Sequence, residues 1–287
     1  MVGKLNRLPV ETQHALQLLA CMGNRAEYAL LEMVSQQSNE DMHGQLWEAI
    51  RAGLIFRTEQ SYTFLHDRVQ EAAYSLIRED VRAETHVHIG RLLVAHTPPE
   101  QQEERIFDIV NQLNRGASLI TSQEEREKLA ELNLIAGKRA KASSAYASAL
   151  NYLAAGTTLL EEGCWERCYE LIFALELHRA QCEFLTGELT AAEQRLTALS
   201  LRAGNTLDRA AVVSLRVDLD LTTGQTARAV EVGLDYLRGL GIDWSPHPTD
   251  EEARAEYERM WSQLGDRAIE DLIEMPFLAD STCVATL

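Results

Sequence analysis

Side chains able to do chemistry are sparse here, and their densest group is His66-Asp67-Arg68, inside the string Tyr62-Thr63-Phe64-Leu65-His66-Asp67-Arg68-Val69-Gln70-Glu71-Ala72-Ala73-Tyr74-Ser75-Leu76. A strand-like run, Tyr62 to Leu65, delivers His66 and Asp67 to the start of a helical pattern. Asp67 is placed to cap first-turn amides and to sit well in the helix dipole. A histidine satisfied by backbone groups inside the core is the competing structural duty for His66. Elsewhere the signals are thinner. Cys164 and Cys168 are four apart on a helical stretch and could share a metal, but no second ligand pair accompanies them and no zinc site is assigned. In His86-x-His88, with His96 further on, positions two apart on a helix point to different sides, so packed or solvated histidines are expected. Paired carboxylates such as Glu103-Glu104 and Glu161-Glu162 fall on exposed faces, and no nucleophile–base pair stands out. Gly137-Lys138-Arg139 lacks the earlier glycine and the hydroxyl residue of a G-x-x-x-x-G-K-[ST] phosphate loop. No catalysis is expected from this chain itself.

The elements that must position His66 begin near Pro9, which suits a first helical turn, with Leu16, Leu19 and Ala20 on one face. A second helix is expected from about Arg25 to Ser35. Ser38, with Asp41 three residues on, caps a third that carries Met42, Leu46, Ala49 and Ile50 and ends at Gly53. Leu54 to Arg57 and Tyr62 to Leu65 are then two short strands joined by Thr58 to Ser61. Three helices followed by a β-hairpin is the order of a winged helix, and Val69 to Ile77 and Val81 to Ala95 return to helix. The prolines of Thr97-Pro98-Pro99-Glu100 and Ser245-Pro246-His247-Pro248-Thr249 end helices and mark joints.

Beyond Pro99 the strand signals stop. Helical patterns cover roughly 100–114, 124–142, 145–161, 166–185, 189–203, 207–222, 226–240, 250–264 and 267–274. Two helix pairs align: Ala180, Gly187 and Ala192 with Val217, Gly224 and Ala229. Each has glycine at the interhelical turn and a small residue five positions on, where helices approach closely. The offset of 37 is near the tetratricopeptide period of about 34. A weaker third copy places Ser144 at the turn and Ala149 at the small position. Such pairs bury their apolar faces only by stacking on neighbours. The expected fold class is therefore mostly α: a winged-helix head with a short β-hairpin and following helices over 1–97, then an α–α superhelical, tetratricopeptide-like array over 98–287. Leu272 to Leu287 reads as the opening of another pair, so the array is expected to be cut short at its C-terminus.

Composition narrows the function classes. Hydrophobic residues at 46% and charged residues at 25% are those of a globular chain. No run approaches the roughly 20 apolar residues that cross a bilayer, no secretion signal is present, and a cytoplasmic location with no membrane partner is expected. The five cysteines (Cys21, Cys164, Cys168, Cys182 and Cys283) lack framework spacing and read as reduced thiols. The net charge is -17, with 9 basic and 12 acidic residues in 1–98 and 18 and 32 beyond. Neither part offers a basic face for phosphates, and no nucleic-acid partner is expected.

Leu65-His66-Asp67, directly after the second wing strand, resembles the Met-His-Asp motif in winged-helix domains of the STAND signalling ATPases. Further strings carry a more particular likeness: Asn111-Gln112-Leu113-Asn114-Arg115-Gly116-Ala117, Leu129-Ala130-Glu131-Leu132-Asn133-Leu134-Ile135-Ala136-Gly137, Ala145-Tyr146-Ala147-Ser148-Ala149-Leu150, and Leu240-Gly241-Ile242 with Pro246-His247-Pro248-Thr249. Together they resemble the middle region of large bacterial proteins that join a Ser/Thr kinase-like domain, a STAND-type ATPase, a tetratricopeptide-like array, a GAF domain and a sensor histidine kinase. The resemblance covers nearly all of the chain. It implies that His66, with Asp67 and Arg68, senses nucleotide by meeting the phosphates of ADP held in a preceding ATPase domain. It also implies ATP or ADP with Mg as cofactors of the parent, none for this segment, and adjacent ATPase and kinase domains of the same polypeptide as partners.

The expected function is thus a regulatory and protein-interaction segment that relays nucleotide state or ligand binding to output kinases, with a peptide or protein ligand for the repeat groove. Two alternatives stay open: a transcription regulator whose winged helix binds DNA, and a stand-alone tetratricopeptide adaptor. Against the first, the third helix carries Arg51 as its only basic residue. A phosphoacceptor role for His66 is disfavoured, since the residues after it lack the proline of a histidine-kinase phosphorylation box and no glycine-rich ATP lid follows.

Overall fold

The computed structural model describes residues 1–161, 163–265, 267–269 and 271. The expected helix at 267–274 and the segment Leu272 to Leu287 lie largely or wholly outside them. The chain divides into two compact units, Met1–Arg139 with Ala154–Glu162 and Ala140–Leu153 with Gly163–Leu287. Pro98 and Pro99, where the sequence places its first joint, fall inside the first unit.

The first unit opens with α1 (Val2–Leu5), α2 (Val10–Met22), β1 (Arg25–Glu27), α3 (Tyr28–Ser35), α4 (Asn39–Arg51), β2 (Ile55–Arg57) and β3 (Ser61–Phe64). The sheet is antiparallel in the order β1-β3-β2. Residues 25–27 correct the sequence expectation, since Arg25 to Glu27 is an edge strand and the helix starts only at Tyr28. Ala26 pairs with Tyr62 across the ladder and is buried. Three residues are too few to show a period, so tertiary pairing decided the segment. With that strand added, the order is helix–strand–helix–helix–strand–strand, one strand more than the three helices and hairpin expected from the sequence. Ser38 caps α4, its Oγ accepting from the Asp41 N–H at 3.2 Å. Leu16, Leu19 and Ala20 of α2 pack with Leu46 and Ala49 of α4 and with Tyr62 and Phe64 of β3 in one core.

Next come α5 (Asp67–Ser75), α6 (Glu79–His96), α7 (Pro99–Gln102), α8 (Ile106–Arg115), a 3-10 turn at Ala117–Leu119, α9 (Gln123–Ala142) and α10 (Tyr146–Leu159). Helices α6 and α8 pack closely. A Cβ on Gly116 would lie 2.5 Å from the Ala83 carbonyl oxygen and 2.3 Å from Val87 Cγ2, so only glycine fits beneath α6. The division between units runs inside α9 and α10.

The second unit holds α11 (Cys164–Arg167), α12 (Tyr169–Thr186), α13 (Leu189–Ser200), α14 (Thr206–Thr222), α15 (Thr226–Gly239) and α16 (Asp250–Leu264). Helix α12 packs on α13, α13 on α14 and α14 on α15, with α12 also touching α14. Their apolar faces meet in a core that includes Phe173, Ala180, Ala192, Leu196, Leu199, Val212, Leu215 and Leu219. The fold class is mostly helical with one small three-stranded sheet.

The turns between paired helices repeat one geometry. Ser144, Gly187 and Gly224 take φ of +59°, +85° and +75°. The N–H after each reaches back five residues, Ala145 to Ala140 (2.9 Å), Glu188 to Glu183 (2.8 Å) and Gln225 to Asp220 (2.7 Å). That is the Schellman closure, which satisfies helix-end carbonyls and needs a left-handed residue. Five positions past each turn stand Ala149, Ala192 and Ala229, all buried.

Candidate functional site

His66, Asp67 and Arg68 sit where β3 passes into α5, between two firm anchors. On the strand side, Tyr62 and Phe64 are buried. The Phe64 N–H donates to the Asn24 carbonyl at 2.9 Å and the Leu65 N–H to the Leu54 carbonyl at 3.0 Å. On the helix side, Val69, Ala72 and Ala73 are buried, and Gln70 Nε2 donates to the Ala20 carbonyl at 2.9 Å. The alternation of β3 puts Tyr62 and Phe64 inward, and the helical period of α5 turns Val69 inward. His66, Asp67 and Arg68 are left at the surface.

His66 is the residue before the first helical turn, extended at φ -147° and ψ 142°. Its carbonyl accepts from the Val69 N–H at 2.8 Å, while its ring makes no capping bond. The backbone of His66 thus starts the helix and leaves the imidazole exposed, so the fold does not build a buried, backbone-satisfied histidine here. Asp67 is the acidic residue of the first turn, beside the helix's free amides, where its charge is favourable. Every polar contact of this triplet within the described chain runs through the backbone. Three ionisable groups are held in place with their side chains uncommitted.

A second polar cluster lies nearby in the same unit. Tyr74 Oη donates to His86 Nε2 at 2.8 Å, and His86 Nδ1 donates to Gln112 Oε1 at 2.6 Å. Gln112 Nε2 in turn donates to the Cys21 carbonyl at 3.0 Å, which fixes its orientation and hence the tautomer of His86. The chain ties α5, α6, α8 and α2 together. Burial pushes the His86 imidazole below its usual range, against the Gln112 bond, and Arg115 and Arg82 push the same way as burial. Burial pushes the Cys21 thiol up to about 11, the opposing Arg82 and Arg115 notwithstanding. A cavity of about 710 Å³ adjoins, with Arg82, His86 and Arg115 in its wall. Sequence inspection identified His86 only as one half of an unpromising pair. His88 and His96 are exposed, His96 Nδ1 lying 2.9 Å from the Leu92 carbonyl. Tyr74 and Gln112 stand 12 and 26 positions from His86, and nothing in that spacing announces the contact.

In the second unit the turn residues Gly187 and Gly224 and their partners Ala192 and Ala229 hold helix pairs together and bear no reactive group. Beside Gly187, Glu183 is buried and accepts from Arg195 Nε and Nη2, each at 2.8 Å, and from Arg179 Nε at 3.2 Å. Asp220, its counterpart in the next pair, is buried with Arg228 Nε at 3.8 Å.

No family model matches the chain. Over 95% of its length it is 24% identical to a stretch of hybrid signal transduction histidine kinase G from Dictyostelium discoideum, of which it spans 10%. Among solved structures it is similar to a signal transduction ATPase with numerous domains (STAND) protein with a tetratricopeptide repeat sensor from Pyrococcus horikoshii. That match has a TM-score of 0.40 and 15% identity, over 82% of this chain and 38% of that one.

Proposed function

We propose that this chain is a non-catalytic regulatory segment of a multidomain signal-transduction protein, in which the head reads the nucleotide state of an adjoining STAND-type ATPase domain and the helical pairs pass that state to output kinase domains. The observation that carries the reading is the exposed His66-Asp67-Arg68 triplet. The three side chains share one helix start and are exposed, so an adjoining domain could reach all of them at once. Likeness to a signal-transduction histidine kinase across 95% of the chain supports the setting. The His66 imidazole would donate to a phosphate oxygen of bound ADP and hold a closed arrangement; ATP in place of ADP would release it. ATP or ADP with Mg belongs, in this reading, to the adjoining domain, and the repeat groove takes a peptide or protein ligand. No described helix is long and apolar enough to cross a membrane, and the setting proposed is cytoplasmic.

The test uses the whole polypeptide with its ATPase domain. His66→Ala should leave the head folded, because the ring has no partner to lose among the described residues, and should speed release of prebound ADP by about tenfold, the worth of one charge-assisted bond. Unchanged ADP retention together with unchanged kinase output would sink the reading.

A further inference from the structure

We propose that Cys164 and Cys168 form a peroxide-sensitive dithiol that closes to a disulfide at the start of α12. This site stands independently of the nucleotide reading. Cys164 opens α11, and Cys168 is the residue before α12. The Cys168 N–H donates to the Cys164 carbonyl at 2.8 Å, which closes one helical turn between them. A turn of that kind separates the two Cα atoms by about 6 Å, inside the roughly 4.4–6.8 Å that a disulfide spans. At Cys168 the backbone leaves helical geometry, at φ -128° and ψ 46°. The two sulfurs meet there, with Sγ to Sγ at 3.0 Å. Reaching the bonded length of about 2.05 Å needs only about 1 Å of travel.

Access is unequal, which orders the chemistry. Cys168 is half-buried and Cys164 is buried. Arg167 Nη2 donates to Cys164 Sγ at 3.3 Å and helps hold that sulfur in place. Cys168 sulfur attacks one oxygen of hydrogen peroxide; the O–O bond breaks, and the departing hydroxide takes the thiol proton as water. Cys164 sulfur then attacks the resulting sulfenic sulfur; the S–O bond breaks and a second water leaves with the Cys164 proton. Two thiols lose two electrons and two protons, and peroxide is reduced to water. The neighbours would feel the change. Trp165 and Tyr169 are in ring contact at 6.3 Å, Arg202 lies over Trp165 at 4.4 Å, and Tyr169 Oη donates to Asp208 at 2.6 Å. Oxidation therefore acts beside the contacts that tie α11 and α12 to the α13–α14 connection.

The experiment treats the reduced chain with equimolar hydrogen peroxide, then denatures and alkylates it for intact mass and peptide mapping. Alkylatable thiols should fall from five to three, with two hydrogens lost and a cross-link within 164–168, reversed by dithiothreitol. At the same peroxide dose Cys168→Ser should keep all four of its thiols, and Cys164→Ser should stop at a Cys168 sulfenic acid that dimedone traps. The wild-type readout does not depend on either variant folding. Five alkylatable thiols after treatment, separate sulfinic acids at 164 and 168, or a disulfide to another cysteine or another copy overturns the proposal.

Discussion

His66 and His86 show how one residue type meets opposite fates on adjacent helices. His66 starts a helix with its backbone and keeps its ring in solvent, whereas His86 is buried with both ring nitrogens bonded. Burial lowers the His86 pKa, so the folded first unit binds fewer protons than the unfolded chain around the unfolded value of about 6.5. Its contribution to stability is complete above that value and is lost as pH falls below it, with a slope of up to about 1.4 kcal/mol per pH unit. Protonation would cost the acceptor for Tyr74 Oη and set a third cation beside Arg82 and Arg115. Hydrogen exchange of the α8 amides should accelerate between pH 7 and 5.5, after correction for intrinsic rates, and His86→Gln should flatten that dependence. An equal dependence in the variant would clear His86 of the effect.

At the scale of elements, the repeated turn is what makes two helices a pair. Gly187 takes φ +85°, and a Cβ there meets nothing within 4 Å, so substitution is limited by backbone conformation rather than by space. Gly187→Ala should therefore cost about 1 kcal/mol, the left-handed penalty less the entropy that alanine removes from the unfolded chain. Ala192 is a matter of space, being 0% exposed between α12 and α13. Ala192→Leu should cost about 1–3 kcal/mol by overpacking. Denaturant midpoints of the two variants test the assignment of backbone to one and volume to the other. A leucine tolerated at 192 without loss would mean that the helices do not meet there. Ser144 shows the same turn built without glycine, which is why that copy is faint in the sequence.

For the molecule as a whole, charge sets the terms on which partners approach. The net charge is -17. Helix α4, the one a DNA reader would place in the groove, carries only Arg51 as a cation, and that guanidinium is paired with Glu48 at 3.1 Å. A duplex of arbitrary sequence should show no retardation by this chain in a gel at about 150 mM salt, since nonspecific binding needs several free phosphate contacts. Salt-dependent retardation would revive the transcription-regulator alternative.

Much of this protein was legible residue by residue. Local rules placed the long helices from Gln123–Ala142 through Asp250–Leu264 to within a few residues, because apolar period, caps and turn glycines are written along the chain, but they ran α11 and α12 together as one helix over 166–185, which the structure breaks at Cys168. The same holds for the Ser38 cap, the hairpin and the turns at Gly187 and Gly224. Three things were decided only by packing between distant residues: the strand at Arg25–Glu27, made by pairing with β3; the Tyr74–His86–Gln112–Cys21 chain, which gathers four helices; and the exposure of His66. Spacing announces which face of a helix is apolar, but hydrogen bonds between elements depend on where those elements come to rest, and that is a property of the assembled core.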